Sequence, residues 1–318
     1  MPGSCPNGLM PDMAAWLARF NQRPKPAIQS LPPLVIRAGM RKLFCRSDRP
    51  PRPVAQVQEQ LIPGPVTDLR LRLYRPLADE LLPVLVFYHG GGWVACDLDT
   101  HDDICRALAA GAGSVVVSVD YPLAPEHKFP AAVEAGFAAL SWVAEYAAQI
   151  QGDVTRLAVG GDSAGGNLAT VMALLARDRQ GPALIHQLLL YPITDIATLE
   201  TASHHLFATG YFLERAAMLT CRDYYFADLA EAQQPYASPL LAPDLSGLPP
   251  AQIITAGFDL LRDEGAAYAD RLRAAGVQVK HTCYEGLIHG FLNFAGEVAS
   301  AQAALDEIVS DLRVVLYN

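Results

Sequence analysis

A serine flanked by glycines lies where the chain changes from an apolar run to a helical pattern. The stretch Gly160-Gly161-Asp162-Ser163-Ala164-Gly165 contains the spacing G-x-S-x-G. In that context the serine sits on a sharp strand-to-helix turn, and its hydroxyl projects over the edge of a sheet. The spacing alone is equally compatible with a glycine-rich turn whose serine caps the next helix. We therefore interpret Ser163 as a candidate nucleophile for acyl transfer that needs support from elsewhere in the chain.

Three consecutive glycines upstream offer a place where negative charge can be stabilised. The stretch His89-Gly90-Gly91-Gly92-Trp93 directly follows an apolar run that ends at Tyr88. Without Cβ atoms, backbone N–H groups can converge on one point, which is what a tetrahedral oxyanion requires. The N–H of Ala164, next to the serine, is expected to be a further donor. A phosphate loop is disfavoured because no Gly-Lys-Ser/Thr follows.

An acid and a histidine follow later candidate strands. Asp259 comes after the strand predicted at 252–256, and His289 comes after a strand predicted to end near Tyr284. The carboxyl ends of parallel strands share one edge, so both residues should lie near Ser163. The chain order serine, acid, histidine is that of the α/β-hydrolases. In this interpretation the histidine takes the serine proton and returns it to the leaving alkoxide, while the acid orients the imidazole.

Each of these two assignments has rivals. Asp263 or Glu264 is close enough in the chain to replace Asp259. His281 competes with His289, although His281 falls within or before the last predicted strand rather than after it. His89, which precedes the glycines, is expected to fix their loop by hydrogen bonding, and Asp162 to brace the serine turn.

The elements that must position these residues alternate between short apolar strands and helices. Runs of β-branched and apolar residues predict strands buried on both faces of a parallel sheet, at 84–88, 115–119, 157–159, 188–190, 253–256 and 277–279. Helical patterns occupy the intervals, at 101–110, 131–149, 164–178, 263–275 and 298–315. Thr100 is expected to cap the first of them. Residues 54–62 and 69–74 predict an antiparallel lead-in. The alternation predicts a doubly wound α/β fold.

Two segments fall outside the alternation. Residues 13–20 and 36–44 read as short helices, and a connector, Arg49-Pro50-Pro51-Arg52-Pro53, follows them. Residues 196–228 are rich in aromatic side chains and too long for an ordinary connection. We expect this second segment to have its own helices and to cover part of the molecule.

Composition narrows the choice of partners. The 318 residues are 51% apolar and carry a formal net charge of -9, which argues against nucleic acid and anionic membranes. None of the six cysteines forms C-x-x-C, so free thiols in a reducing compartment are expected. Residues 1–12 lack the apolar run of a signal peptide, and no stretch approaches the ~18 apolar residues of a membrane span. A cytoplasmic location is expected.

No cofactor and no metal are expected. The pair His204-His205 has no further ligands at helical spacing. The stretch Gly111-Ala112-Gly113 lacks the third glycine of a dinucleotide loop and follows a helix rather than a strand.

Taken together, the glycine motifs resemble those of the hormone-sensitive-lipase-like family of bacterial esterases (bacterial family IV). The resemblance rests on the motifs at 89–93 and 161–166, with supporting matches at 120–126, 259–263 and 289–291. The resemblance covers about residues 60–315. It implies an α/β-hydrolase fold with an eight-stranded, mostly parallel sheet and a helical cap. It also implies oxyanion donors at Gly91 and Gly92, together with Ala164.

The resemblance also implies a division of the chain. Residues 1–50 would form the N-terminal part of the cap, 51–318 the catalytic domain, and about 196–228 a cap insertion within it. The family's usual Tyr-Arg-Leu-Ala-Pro-Glu appears here with Pro122 in place of arginine, so a charged side chain is lost from that loop.

Hydrolysis of short- to medium-chain acyl or aryl esters, through an acyl-enzyme, is the function expected from these residues. Trp93, Phe212 and Phe291 are candidates for an apolar substrate pocket. Two alternatives stay open: a non-catalytic ligand-binding protein on the same fold, and an amidase or thioesterase on the same triad. The binding protein is disfavoured because His289 is present. The expected partner is a small-molecule ester, and the protein is expected to be a monomer or a homodimer.

Overall fold

A computed structural model describes residues 8–23, 26–45 and 50–318 of the chain. Within these ranges one sheet contains eight strands. They are β1 (Gln56–Ile62), β2 (Leu69–Arg75), β3 (Leu82–Tyr88), β4 (Val115–Asp120), β5 (Gly152–Asp162), β6 (His186–Leu190), β7 (Ala251–Phe258) and β8 (Val279–Ile288). Cys5 and Arg49, on which part of the cysteine and connector predictions rest, lie outside the described residues.

The sheet has the order β1-β2-β4-β3-β5-β6-β7-β8. The first two strands form the predicted antiparallel lead-in, and β2 also pairs antiparallel with β4. All other neighbours pair in parallel. The predicted α/β-hydrolase fold, with a mostly parallel sheet, is therefore confirmed. The parallel part places the carboxyl ends of β3, β5, β7 and β8 at one edge, where the candidate site residues follow.

Helices cover both faces of the sheet. The described helices are α1 (Pro11–Asn21), α2 (Pro33–Phe44), α3 (Asp102–Ala112), α4 (Ala131–Tyr146), α5 (Ala164–Asp178), α6 (Ala202–Leu206), α7 (Arg215–Tyr225), α8 (Arg262–Ala274) and α9 (Ala299–Tyr317). Apolar side chains of α1, α3 and α9 form one core layer, and those of α4, α5 and α8 form the other. Because both faces are covered, all seven residues of β3 are buried, as its continuous apolar run predicts.

The N-terminal helices and the segment 196–228 lie against each other. The Asn21 side chain donates to the Gly210 carbonyl, at 2.9 Å. The Tyr224 hydroxyl lies 3.4 Å from the Leu31 carbonyl. The segment contains α6 and α7, as expected from its length. Its aromatic Tyr225 stacks on Trp93 with ring centroids 4.4 Å apart. The two segments therefore meet next to the glycine-rich loop.

Two local predictions differ from the structure. The last strand is predicted from the run at 277–279 to an end near Tyr284, whereas β8 runs from Val279 to Ile288. It is an edge strand whose residues are mostly half-buried, so it carries no continuous apolar run to mark it. Thr100 does not cap α3, because its hydroxyl closes a local turn with the backbone of Asp97.

Candidate active site

Ser163 lies on a tight turn between β5 and α5. Its backbone has φ 55° and ψ -118°, a conformation that non-glycine residues adopt at a cost. The Ser163 N–H donates to the Leu190 carbonyl at the end of β6, at 2.9 Å, which holds the turn. A Cβ on Gly161 or Gly165 would overlap the carbonyl oxygen of Tyr88. The two glycines are therefore required by close backbone packing, and the serine projects from the carboxyl edge of the sheet.

His289 connects the serine to a carboxylate. It directly follows β8, and Asp259 directly follows β7. The His289 Nδ1 lies 2.8 Å from Asp259 Oδ2, and its Nε2 lies 3.0 Å from Ser163 Oγ. An ionised carboxylate can only accept, so Nδ1 carries the proton and Nε2 is free to accept the serine proton. The three side chains are at most 7% exposed. They form the geometry of a nucleophile, a base and an orienting acid.

The acid is itself held in place, and its rivals have other partners. Asp259 Oδ1 accepts the Leu261 N–H at 2.9 Å, which leaves Oδ2 for the histidine. The rivals are bound elsewhere: Asp263 accepts the Ser203 N–H, Glu264 lies 3.1 Å from His204, and His281 is 2.9 Å from the Thr255 hydroxyl. The structure thus brings together Ser163, Asp259 and His289 and not the alternatives.

The glycine-rich loop presents free N–H groups. Gly91 has φ +111° and Gly92 has φ +62°, both in the region that favours glycine. Among the described residues, the N–H groups of Gly91, Gly92 and Ala164 have no hydrogen-bond acceptor. The loop is closed by the Ala95 N–H, which donates to the Gly91 carbonyl at 3.0 Å. Unpaired donors on a rigid loop suit an anionic oxygen, and the assignment of these three as oxyanion donors stays a prediction.

Two buried side chains hold this loop. The His89 Nδ1 lies 2.7 Å from the Gly90 carbonyl, and its ring stacks on Tyr121 at 4.3 Å. Burial, reinforced by the charge of nearby His101, lowers the pKa of His89, so its ring is neutral. Asp162 Oδ1 accepts the Gly90 N–H at 2.8 Å. His89 and Asp162 thus contact the loop rather than the serine hydroxyl.

Sequence reasoning missed two residues that contact the same region. His101, which is 1% exposed, places its Nε2 3.1 Å from Asp162 Oδ1. Arg37, on α2, donates from Nε to the Val94 carbonyl and from Nη2 to the Ala124 carbonyl, each at 2.8 Å. Both residues lie far along the chain from their partners, so no local sequence motif predicts these contacts.

Arg37 also contacts the loop that contains Pro122, in which the family's usual arginine is missing. Besides the two carbonyls, its guanidinium pairs with both oxygens of Glu126. The loop that contains Pro122 therefore receives a positive charge from the N-terminal helices rather than from its own sequence.

The three candidate pocket residues have different surroundings. Trp93 and Phe291 are 0% exposed, so in this conformation they border no space that a ligand could fill. Phe212 is half-buried and lies beside Gly290, the residue after the candidate base. It belongs to a cluster of aromatic rings with Trp16, Phe20, Phe44 and Phe294. Contact of Trp93 or Phe291 with a substrate stays a prediction and requires neighbouring side chains to move.

The adjacent histidines His204 and His205 face different partners. His204 lies against Glu264 in the core, whereas His205 pairs with Glu200 at the surface. No group of three or more potential ligands within the described ranges is arranged to hold a metal ion. In the same part of the chain, no helix combines the length and the apolar character needed to cross a bilayer.

Comparison with known proteins gives consistent matches. A family model described as alpha/beta hydrolase fold matches residues 85–293. The carboxylic ester hydrolase LipN of Mycobacterium tuberculosis is 46% identical over 286 residues, which cover 88% of this chain and 76% of the relative. The carboxylesterase NlhH of the same organism is 44% identical over 290 residues, 89% of each protein. The crystal structure of a thermostable esterase from Pseudomonas putida is 41% identical, with a TM-score of 0.92 over 99% of both chains.

Proposed function

Because the chain belongs to the α/β-hydrolase family, among its hormone-sensitive-lipase-like carboxylesterases, we propose that it hydrolyses short- to medium-chain acyl or aryl esters through an acyl-enzyme. The observation that carries the proposal is the continuous contact from Asp259 through His289 to Ser163. That arrangement allows a serine hydroxyl to lose its proton at the moment at which it attacks.

In the first half of the reaction, Ser163 Oγ bonds to the ester carbonyl carbon while its proton moves to His289 Nε2. The carbonyl oxygen becomes an oxyanion. The carbon–oxygen bond to the alcohol then breaks, and Nε2 returns the proton to the leaving alkoxide. Asp259 accepts the Nδ1–H throughout and stabilises the imidazolium.

In the second half, water replaces the alcohol. His289 takes a proton from the water, whose oxygen bonds to the acyl carbon, and a second oxyanion forms. When the bond to Oγ breaks, the proton passes from Nε2 to the serine, and a carboxylic acid leaves. The N–H groups of Gly91, Gly92 and Ala164 serve both oxyanions. Preorganised donors of this kind contribute about 100- to 1000-fold each to kcat.

The preference for small substrates rests on how little of the centre is exposed. Ser163 is 7% and His289 5% exposed, so an ester must enter an enclosed space rather than meet the centre at a surface. The segments 1–50 and 196–228 are proposed to form a cap over the catalytic domain 51–318. The aromatic cluster around Phe212, next to Gly290, supplies apolar surface for an acyl or aryl group.

The central experiment compares Ser163→Ala with the wild type on a panel of p-nitrophenyl and alkyl esters from C2 to C16. We expect the wild type to prefer the C4 to C8 esters and Ser163→Ala to lose turnover on all of them. Ser246→Ala, at an exposed loop, is the matched control and should retain full activity. Retained turnover in Ser163→Ala would reject the mechanism, and faster hydrolysis of long-chain emulsions would reject the proposed substrate size.

Two further measurements separate the alternatives. A fluorophosphonate probe should label the wild type and not Ser163→Ala, and an unlabelled wild type would indicate a non-catalytic binding protein. Comparison of kcat/KM for matched ester, thioester and amide substrates should favour the ester. The cytoplasmic location and the choice between monomer and homodimer stay predictions.

A further inference from the structure

We propose that Ser203 is a positioning residue for the acid of the triad, because its hydroxyl fixes the peptide group whose N–H binds Asp259. The inference rests on the proposed function, since it gives the same triad a supporting residue that lies outside the sequence motifs. Ser203 lies in α6, within the aromatic-rich segment 196–228, and it is completely buried. It therefore does not touch an ester, and its effect on the reaction is indirect.

The Ser203 hydroxyl makes two hydrogen bonds whose directions are fixed by the chemistry of the partners. Its oxygen lies 2.7 Å from the Leu260 carbonyl, which can only accept, so the hydroxyl is the donor. The same oxygen accepts the Asp263 N–H, at 3.2 Å, and a backbone N–H can only donate. The Thr201 hydroxyl is farther away, at 3.1 Å, and has a hydrogen of its own to donate. The hydrogen of Ser203 therefore belongs to the shorter contact with Leu260.

The peptide group between Leu260 and Leu261 connects this hydroxyl to the acid. Leu260 supplies its carbonyl and Leu261 its N–H, and the group is rigid and planar. The Leu261 N–H donates to Asp259 Oδ1 at 2.9 Å, and Asp259 Oδ2 lies 2.8 Å from His289 Nδ1. Ser203 therefore holds one side of a plane whose other side holds the carboxylate. Hydrogen bonds in such a chain polarise one another, so the bond to the carbonyl also strengthens the N–H as a donor.

Asp263 holds Ser203 in place. Its Oδ2 accepts the Ser203 N–H at 2.8 Å, which satisfies a backbone donor in the first turn of α6. Its Oδ1 accepts from Arg262 Nε at 2.9 Å, so the carboxylate is itself fixed. The backbone and the hydroxyl of Ser203 are thus both bound to residues 260–263. Asp263, a rival of Asp259 in the sequence, supports the residue that positions the acid.

Loss of the hydroxyl would act on proton transfer. The Leu260 carbonyl would be left buried without this donor, which is costly, so the peptide group would rotate toward another partner. The Leu261 N–H would then turn away from Asp259. A carboxylate without this bond orients the imidazole less well, and the serine loses its proton less readily. None of these groups binds the ester, so the change should appear in kcat and not in KM.

The test is a double-mutant cycle between Ser203→Ala and Asp259→Ala. In the otherwise wild-type chain, Ser203→Ala should lower kcat on p-nitrophenyl butyrate by about tenfold, with KM within about twofold. Asp259→Ala removes both carboxylate oxygens, so the peptide group then has no acid to position. In the Asp259→Ala background, Ser203→Ala should therefore change kcat by less than about twofold. A serine that only stabilises the fold would lower kcat by the same factor in both backgrounds.

Two further variants separate positioning from stability. Ser238 is also a completely buried serine, and its oxygen accepts the Ile196 N–H at 3.0 Å, at the start of the same segment. Ser238→Ala should therefore lower the melting temperature like Ser203→Ala but keep kcat within about twofold of the wild type. Asp263→Ala removes the acceptor of the Ser203 N–H and leaves the hydroxyl in the chain. It should lower kcat by a smaller factor, which should also disappear in the Asp259→Ala background.

The inference is overturned if Ser203→Ala lowers only the melting temperature, if its effect on kcat persists in the Asp259→Ala background, or if Ser238→Ala loses as much activity. Should Ser203→Ala not fold, the Asp263→Ala cycle decides, and an unchanged kcat or a loss that persists without the carboxylate overturns the inference equally. Failure of the proposed function is distinguishable, because it would appear as retained activity in Ser163→Ala, whatever Ser203→Ala does.

Discussion

Substitution of Gly92 by alanine tests the oxyanion loop at the point where it meets α7. Gly92 has φ +62°, and a Cβ there would lie 2.6 Å from Cys221 Sγ and 3.0 Å from Cys221 Cβ. Non-bonded carbon atoms prefer separations of about 3.5 to 4.0 Å. Either the loop or α7 must therefore move by about 1 Å, and the Gly92 N–H moves with the loop.

The expected effect of Gly92→Ala has two separable parts, a loss of stability and a loss of kcat. An alanine in the left-handed backbone region costs about 1–2 kcal/mol. This cost lowers the free energy of unfolding and leaves kcat unchanged. Displacement of one oxyanion donor costs about 100-fold or more in kcat, or roughly 2.7 kcal/mol. Gly276→Ala is the matched control for the first part, because Gly276 has φ +84° and no atom within 4 Å of the added methyl group. Both variants should lose stability, and only Gly92→Ala should lose kcat.

The assay is steady-state hydrolysis of p-nitrophenyl butyrate together with thermal unfolding of each variant. Adding Cys221→Ala removes the sulfur from the overlap, so Gly92→Ala/Cys221→Ala should recover at least about tenfold of the lost kcat. Cys221→Ala alone should remain close to the wild type. The reasoning is refuted if Gly92→Ala retains kcat within threefold, or if Gly276→Ala loses as much activity as Gly92→Ala.

Three further predictions concern the orienting acid, the core and α2. Asp259→Asn should lower kcat by about 10⁴-fold, because an amide does not hold the histidine in the required tautomer; hydrolysis within tenfold of the wild type would contradict this. Burial lowers the pKa of His186 to about 4, whereas the unfolded value is about 6.5. His186 thus binds a proton less readily in the folded state than in the unfolded state. The free energy of unfolding therefore falls as the pH drops from 6.5 toward 4. The free energy of unfolding should fall by about 2 kcal/mol more in the wild type than in His186→Leu between pH 7 and 4.5, measured with urea. Arg37→Gln should lower kcat about tenfold through lost charged hydrogen bonds, whereas Glu126→Gln, at the exposed end of the same pair, should have little effect in the same assay.

The parts of the fold that the sequence predicted well are those with one physical explanation. The apolar runs of β3 and β4 are buried on both faces, and only a covered parallel sheet explains them. The glycines around Ser163 are required by contact with the Tyr88 carbonyl, so their spacing is visible as a motif. Asp259 and His289 could be placed because each immediately follows a strand. Proximity at the sheet edge then follows from parallel pairing.

Other features depend on contacts that no local pattern encodes. The end of β8, predicted near Tyr284 and found at Ile288, was misplaced because an edge strand alternates weakly between buried and exposed residues. Thr100 was misassigned because its hydroxyl has a nearby competing partner in Asp97. His101 and Arg37 lie far along the chain from Asp162 and from the loop carbonyls. Their roles depend on how complete helices and strands pack, which is visible only in three dimensions.

The oxyanion loop is the element on which these separate contacts converge. From the core side, His101 and Asp162 hold Gly90. From the side of the N-terminal and aromatic-rich segments, Arg37 holds the Val94 carbonyl and Cys221 packs on Gly92. The core contacts are buried and do not depend on what occupies the site, whereas α2 and α7 belong to the proposed cap. A movement of that cap would therefore alter Gly92 and Val94 while Gly90 stays fixed. We therefore expect variants on the cap side to change kcat for bulky esters more than for acetate esters.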